Sequence, residues 1–217
     1  MSLAIFDLDN TLIGGDSDHL WGEFLAEKGV VDGTFYKQEN DRFYQEYKAG
    51  TLDIMAFLQF SLKALADNSM QDLKIWRDEF MQNHIERLML PKSFELLEKH
   101  RKQGDYLLII TATNRFVTEL IAEKLGVDDL LATDPEEVDG RFTGKVAGTP
   151  CFRAGKVERL NAWLDTNHHD LKDSWFYSDS YNDLPLLEIV DHPVVVDADD
   201  ALTAHAKKQG WPIMSLR

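Results

Sequence analysis

The sequence predicts an α/β protein: a parallel sheet layered between helices, with an α-helical cap inserted after the first strand. Three observations lead there. Leu3-Ala4-Ile5-Phe6 is a short continuous apolar run, the pattern of a strand buried on both faces. From about residue 91 onward, strand and helix patterns alternate, as they do when crossover helices join parallel strands. Between these regions the apolar residues recur at helical spacing. The expected division is a core of residues 1–14 and 91–217 and a cap of residues 15–90.

The elements follow in order. Gly14-Gly15 ends the first segment. Leu20, Trp21, Phe24 and Leu25 form one helical stripe, Met55, Leu58, Leu62 and Leu65 a second, and Leu73, Trp76 and Phe80 a third. Ala49-Gly50-Thr51 and Asp67-Asn68-Ser69 separate these helices, and the latter offers N-caps. Pro91 opens a helix that runs to about Gln103. A strand over Tyr106–Ile110 leads to a helix over Arg115–Leu125, stopped by Gly126. Leu130–Thr133 reads as a strand, and Val138–Val146 as a hairpin turning at Asp139-Gly140. Then come a helix over Gly155–Leu164, a strand over Trp175–Ser178, a helix over Asp183–Val190 and a strand over Val194–Val196. A helix over Ala201–Gln209 and a short strand at Ile213-Met214 end the chain.

Composition narrows the class. The 217 residues are 44% hydrophobic, enough for one core with an insertion. Asp and Glu number 38 against 23 Lys and Arg, a formal charge of −15. Such a surface repels phosphate backbones, so nucleic acid is not the expected partner, whereas a cation is easily accommodated. A single cysteine, Cys151, leaves no intrachain disulfide and no cysteine zinc site. Six histidines (His84, His100, His168, His169, His192 and His205) show no metal-ligand spacing, and His19 and Trp21 read as packing residues. No basic leader precedes a long apolar run, and runs such as Leu107–Ile110 are too short to cross a bilayer, so no membrane partner and a cytoplasmic location are expected.

The chemistry-bearing residues fall after the strands. In an open parallel sheet, ligands bind beyond the carboxyl ends of the strands. Asp7 and Asp9 flank Leu8, so an extended backbone aims both carboxylates the same way. Two such acids need a cation between them, or one must hold a proton. Thr111 stands at a second strand end, and Thr111-Ala112-Thr113-Asn114 leads into a helix whose N-terminal N–H groups favour an anion. Lys156 opens the helix after Gly155, and a third strand delivers Asp179-Ser180-Tyr181-Asn182-Asp183. Acids for a divalent cation, with donors for phosphate oxygens, are the inventory of phosphoryl transfer.

With these motifs in this order, the chain resembles the haloacid dehalogenase superfamily of phosphohydrolases, in its phosphoserine-phosphatase-like branch. The motifs are Asp7-Leu8-Asp9-Asn10-Thr11, Thr111, Lys156 and Ser178-Asp179-Ser180-Tyr181-Asn182-Asp183, and they span the whole chain. The resemblance implies a Rossmann-like core, Mg²⁺ as cofactor and a small phosphate ester as substrate. It implies Asp7 as a nucleophile that becomes an aspartyl-phosphate, and Asp9 as general acid and then base. Asp7, Asp179 and the carbonyl of Asp9 would hold the metal. Thr111, Ala112 and Lys156 would hold phosphate, with Asn182 and Asp183 in support. Ser178 stands where many relatives have glycine.

The cap entrance reads Gly15-Asp16-Ser17-Asp18-His19-Leu20-Trp21. By the resemblance, Asp16 matches a residue that binds a substrate amino group. Gln59 aligns where an arginine binds the carboxylate of phosphoserine, and Arg42 is the candidate to replace it. Two acids at an entrance suit an amine or an imidazole, and the chain also resembles a bacterial subgroup associated with histidinol-phosphate phosphatases. Ser17 or Asp18 could equally serve as the N-cap of the first cap helix. Histidinol phosphate, phosphoserine or another small ester, and a non-catalytic binding module are the three readings left open.

Overall fold

The computed structural model describes residues 2–217. The chain begins with β1 (Leu3–Phe6), buried along its whole length. Four cap helices follow: α1 (Ser17–Glu27), α2 (Gly33–Lys48), α3 (Ile54–Ala66) and α4 (Met70–Phe80). Asp16, Asp32, Asp53 and Ser69 cap their N-termini, each accepting from a backbone N–H of the first turn. A wide turn over Met81–Ile85 and a tight one over Glu86–Leu88 lead back to the core. There α5 (Pro91–Gln103), β2 (Tyr106–Asn114), α6 (Arg115–Leu125) and β3 (Asp129–Thr133) come in succession. A hairpin of β4 (Pro135–Val138) and β5 (Arg141–Val146) turns at Asp139 and Gly140, whose φ values of 51° and 75° are both positive, as a two-residue hairpin turn requires. The chain ends with α7 (Ala154–Asn167), β6 (Trp175–Ser178), α8 (Leu184–Leu187), β7 (His192–Val196), α9 (Asp200–Gln209) and β8 (Ile213–Met214).

Six strands form one parallel sheet in the order β3-β2-β1-β6-β7-β8. Alternate residues feed two cores. Ala4, Phe6, Leu107, Ile109 and Val196 face one side, and Leu3, Ile5, Leu108, Ile110 and Phe176 the other. The first core continues into the cap through Trp21, Phe24, Leu25, Leu62 and Phe80, so the cap shares apolar packing with one face of the sheet. The chain enters and leaves the cap side by side: Gly14 N–H donates to the Leu88 carbonyl at 2.8 Å, and Ile13 pairs antiparallel with Met89. Among the described residues, no helix is long and apolar enough to cross a membrane.

Three local expectations change. β2 continues through Thr111 to Asn114, and Asn114 caps α6 by accepting from Val117 N–H at 3.2 Å. The N-terminus of α6, at Arg115, therefore lies beyond Thr111. The helix expected over Asp183–Val190 is a tight turn at Tyr181–Asp183 and a single α-turn, because the chain must reach β7 within a few residues. Met55 is exposed, while Leu58, Leu62 and Leu65 of the same stripe are buried.

Among the glycines, Gly155 in the first turn of α7 makes the tightest approach to other backbone. A Cβ on Gly155 would lie 2.1 Å from the Pro150 carbonyl oxygen, whereas one on Gly33 would make an ordinary 3.4 Å contact. Gly155→Ala should therefore lower unfolding stability by about 2 kcal/mol or more, against a few tenths for Gly33→Ala. Urea denaturation of the two variants checks this, and equal stabilities would contradict it.

Candidate active site

The central strand places the first acids. Asp7 N–H donates to the Tyr177 carbonyl at 2.9 Å, extending the β1–β6 pairing by one residue. The buried Leu8 then anchors a turn in which Leu12 and Ile13 N–H both donate to its carbonyl, at 2.9 and 3.1 Å. Asn10 has φ of 58°, a conformation that Asn tolerates better than most residues. This turn aims Asp7, Asp9 and Thr11 into the space where the sheet order reverses between β1 and β6.

Lys156 Nζ lies 2.7 Å from Asp7 Oδ1 and 2.8 Å from both carboxylate oxygens of Asp183. Ser178 Oγ donates to Asp183 Oδ2 at 2.7 Å, so Asp183 anchors the lysine. Thr11 Oγ1 accepts from Asp179 N–H at 3.0 Å and lies 3.3 Å from both Asp7 Oδ2 and Asp179 Oδ1. Asp9 takes Ser17 N–H on Oδ1 at 2.6 Å and Thr113 Oγ1 on Oδ2 at 2.8 Å. Its carboxylate thus touches both the cap entrance and the end of β2.

Electrostatics follow from this crowding. Burial pushes the Asp7 carboxyl up to about 7 although Lys156 opposes it, and the charge of Asp183 adds to the rise. Burial and then the charge of Asp16 push Asp9 up to about 6, against the bonds from Ser17 and Thr113. Asp179 is raised well above the carboxylate range by burial and by Asp7 and Asp183. Burial works against the charge on Lys156, but Asp183 and Asp7 outweigh it and hold the ammonium firmly protonated. One lysine therefore serves a cluster of four acids. The oxygens of Asp7 and Asp179 that converge on the Thr11 hydroxyl are hard donors of the kind that hold Mg²⁺, so these residues fit that ion.

Above the acids, a pocket of about 590 Å³, mouth included, separates core from cap. Asp7, Asp9, Thr111, Ala112 and Thr113 form its floor, and Asp16, Asp18 and His19 its entrance side. Phe43, Tyr44, Tyr47, Phe57 and Phe152 supply the wall. The Asp18 carboxyl is raised well above its ordinary value by burial and by the charges of Asp16 and Asp9. Among the described residues, no lysine or arginine lines this pocket.

The structure thus gathers Asp7, Asp9, Thr111, Ala112, Lys156, Asp179 and Asp183 at one place, with Asp16 and Asp18 above them. Several expectations need correction. Arg42 lies on the outer face of α2, exposed and paired with Glu39 and Glu46 at 2.7 and 2.6 Å. Helical periodicity turns it away, since Asn40, Phe43, Tyr44 and Tyr47 take the pocket side. Gln59 is likewise exposed and outside the pocket. Asn182 faces the cap, where its Nδ2 donates to the Tyr47 carbonyl at 3.1 Å. At the entrance it is Asp16 that caps α1, accepting from His19 N–H at 2.8 Å, while Asp18 stays free of that duty.

Several lining residues had no usable sequence signal. Thr113 could have been suspected from its place two residues after Thr111, but the aromatic wall reads as ordinary helix core. His19, read as a packing residue, does pack, stacking on Tyr44 with ring centroids 4.5 Å apart, and it also lines the pocket. Its Nε2 lies within 3.8 Å of Glu23 and Asp41 carboxylate oxygens. Its Nδ1 faces Asn40 Nδ2, which also donates to the His19 carbonyl at 2.8 Å.

Known proteins place this geometry. Residues 4–188 match the family of haloacid dehalogenase-like hydrolases. A histidinol-phosphatase of Neisseria meningitidis serogroup C (strain 8013) is 42% identical over 220 residues, covering 100% of this chain and 99% of the relative. A phosphoserine phosphatase of Mycobacterium tuberculosis (strain ATCC 25618 / H37Rv) is 32% identical, over 99% of this chain and 70% of its own length. A crystal structure of a protein of unknown function from Bordetella pertussis Tohama I is 41% identical with a TM-score of 0.94, over 100% of this chain and 99% of that one. A phospho-aspartyl intermediate analogue of phosphoserine phosphatase, 20% identical with a TM-score of 0.72 over 100% and 93% of the two chains, shares the fold.

The acid cluster sets how metal and pH act together. A carboxyl whose folded-state pKa lies above its unfolded value binds more protons folded than unfolded between the two, so its contribution to stability falls as pH rises. That window runs from the ordinary 3.8 to about 7 for Asp7 and about 6 for Asp9. His100, whose pKa burial lowers, has the opposite sign below its ordinary value, but its partners are Asp105 and the Tyr177 hydroxyl and not the acid cluster. The Tm gain on adding Mg²⁺ to EDTA-treated protein should thus be larger near pH 8 than near pH 5, by roughly 3 °C or more. Thermal melts at both pH values check this, and an equal gain would contradict it.

Proposed function

We propose a specific reaction from one premise: the chain belongs to the haloacid dehalogenase-like hydrolase family, and within it the chain is a phosphatase. The reaction is Mg²⁺-dependent hydrolysis of a small cationic phosphate monoester, with histidinol phosphate as the best fit. The single observation that carries the substrate reading is the charge of the pocket. Asp16 and Asp18 stand among aromatic rings, and no cation is there to receive a carboxylate. An amine or imidazolium gains both the acids and the ring faces. The carboxylate of phosphoserine would meet Asp18 unshielded.

In this reading the Asp7 carboxylate attacks phosphorus as the ester P–O bond breaks. Asp9 gives its proton to the departing alkoxide, which suits a carboxyl raised to about 6. Asp9 then takes a proton from water, which attacks the aspartyl-phosphate and releases inorganic phosphate and free Asp7. Its bonds to Ser17 N–H and Thr113 Oγ1 fix the carboxyl for both transfers. The Lys156 ammonium, the Thr111 hydroxyl and the Ala112 amide hold the phosphoryl oxygens. Asp7, Asp179 and the Asp9 carbonyl would hold Mg²⁺, which when bound offsets the negative charge on the transferring group.

Phosphate release from histidinol phosphate and L-phosphoserine, measured side by side with Mg²⁺, tests the assignment. Histidinol phosphate should lead in kcat/KM by about 100-fold or more, the scale expected when a buried charge is left unpaired. A preference for phosphoserine would overturn the reading of the pocket. Asp7→Asn should lose at least about 1,000-fold in kcat while keeping the wild-type circular dichroism spectrum. Asp18→Asn should lose about 10- to 100-fold in kcat/KM for histidinol phosphate, mainly through KM, with little change for an uncharged aryl phosphate.

A further inference from the structure

We propose that Arg153 is a positioning residue for the phosphatase reaction. Its guanidinium clasps the C-terminal end of α2 to the loop after β6, and this contact sets where the aromatic cap wall stands over the acids. The inference rests on the phosphatase reading and is independent of which ester is the substrate.

Arg153 does not line the pocket. It stands behind it, in an outer seam with Gly50 and Asn182. Its Nε and Nη2 donate to Asn182 Oδ1 at 3.0 and 2.9 Å, and Nη2 also donates to the Gly50 carbonyl. Asn182 in turn donates to the Tyr47 carbonyl. Two core side chains thus hold two carbonyls at the end of α2: that of Tyr47, which also accepts from Gly50 N–H at 3.0 Å, and that of Gly50, just past the helix, where the helix end carries partial negative charge. The same helix carries Phe43, Tyr44 and Tyr47 into the pocket. Displacing its end displaces those rings relative to Asp7.

On the core side the clasp joins two working loops. Arg153 directly precedes α7, and its carbonyl accepts from Lys156 N–H at 3.0 Å. Asn182 precedes Asp183, the acid that anchors Lys156. Two further features set Arg153 apart. Among the described residues no carboxylate pairs with it, so its charge is spent on the amide and carbonyl oxygens of the seam. Its backbone lies at φ 50° and ψ −121°, a strained conformation for a residue with a Cβ, which persists where surrounding contacts over-determine it. Phe152 beneath it packs toward Tyr47, with ring centroids 6.1 Å apart, and forms the apolar half of the same seam.

The test uses two phosphoryl donors, an aryl ester and an acyl phosphate, and one measurement without any substrate. The ring of p-nitrophenyl phosphate must enter the aromatic pocket, whereas acetyl phosphate leaves it empty. Arg153→Ala should lower kcat/KM for p-nitrophenyl phosphate by about tenfold or more and for acetyl phosphate by about threefold or less. Hydrogen exchange of residues 47–52 should speed up by about tenfold or more while that of α7 stays unchanged. Arg153→Lys, which keeps one donor, should recover part of both effects. Arg153→Gly relieves the backbone but removes the same donors, so it should match Arg153→Ala, and it carries the test if Arg153→Ala fails to fold. Unchanged exchange at residues 47–52 would overturn the proposal. So would equal losses on both substrates with faster exchange in α7, the signature of a damaged Lys156 helix. Because the exchange measurement involves no ester, a wrong substrate assignment leaves it unaffected.

Discussion

Four carboxylates and one ammonium share the space beyond the carboxyl ends of β1 and β6, and their mutual repulsion governs the rest of the molecule. Asp7, Asp9, Asp179 and Asp183 could not sit together in water-poor surroundings without compensation. Part of it is built in. Lys156 bridges Asp7 and Asp183, Ser178 holds Asp183, and Thr11 stands between Asp7 and Asp179. The remainder must come from outside the chain, which is why a divalent cation fits here. The apolar runs of β1 and β6 supply the rigidity for such an arrangement, since both strands are packed on two faces. An acid cluster on a mobile loop would relax by moving its charges apart, but Asp7 cannot retreat from a strand that is completely buried.

The cap contributes the opposite kind of surface. Its inward face is aromatic, and among the described residues the charged side chains it presents to the pocket, Asp16 and Asp18, are acidic. The two surfaces meet through few polar contacts. Ser17 N–H reaches Asp9 at one end of the pocket, and the Asn182 amide and Arg153 reach the end of α2 at the other. The crossing of the chain at Gly14 and Leu88 adds another fixed point, and Arg77 of α4, which donates to the Phe116 carbonyl at 2.9 Å, a further one. The apolar core running from the sheet into α1 and α4 supplies the bulk of the attachment, while these polar contacts fix its register.

Asp7 and Asp179 were readable because each follows a strand whose apolar pattern is unmistakable. Leu3-Ala4-Ile5-Phe6 announces Asp7, and Trp175-Phe176-Tyr177-Ser178 announces Asp179. Parallel strands bring their carboxyl ends together, so residues 172 positions apart converge by topology. Helix faces in the cap were harder to read. Arg42 and Tyr44 are two residues apart on α2, and only the packing of that helix decides that Tyr44 faces the pocket while Arg42 faces solvent. His19 shows the same ambiguity, because a half-polar ring suits a pocket wall as well as a helix interface.

The sequence by itself determined the sheet, the inserted helices and the identity of the acids, since strand periodicity and short-range turn chemistry are local properties of the chain. Tertiary structure alone decided which side chains of the cap look at those acids. A helix presents every direction around its axis, and its rotation is set by what it packs against. That same packing turned Arg42 outward, brought Asp18 over the site without a cation, and carried Arg153 and Asn182, 29 positions apart, to the same end of one helix. Such contacts between distant segments leave no periodic trace in a single sequence, because each depends on shapes that exist only once the core has closed.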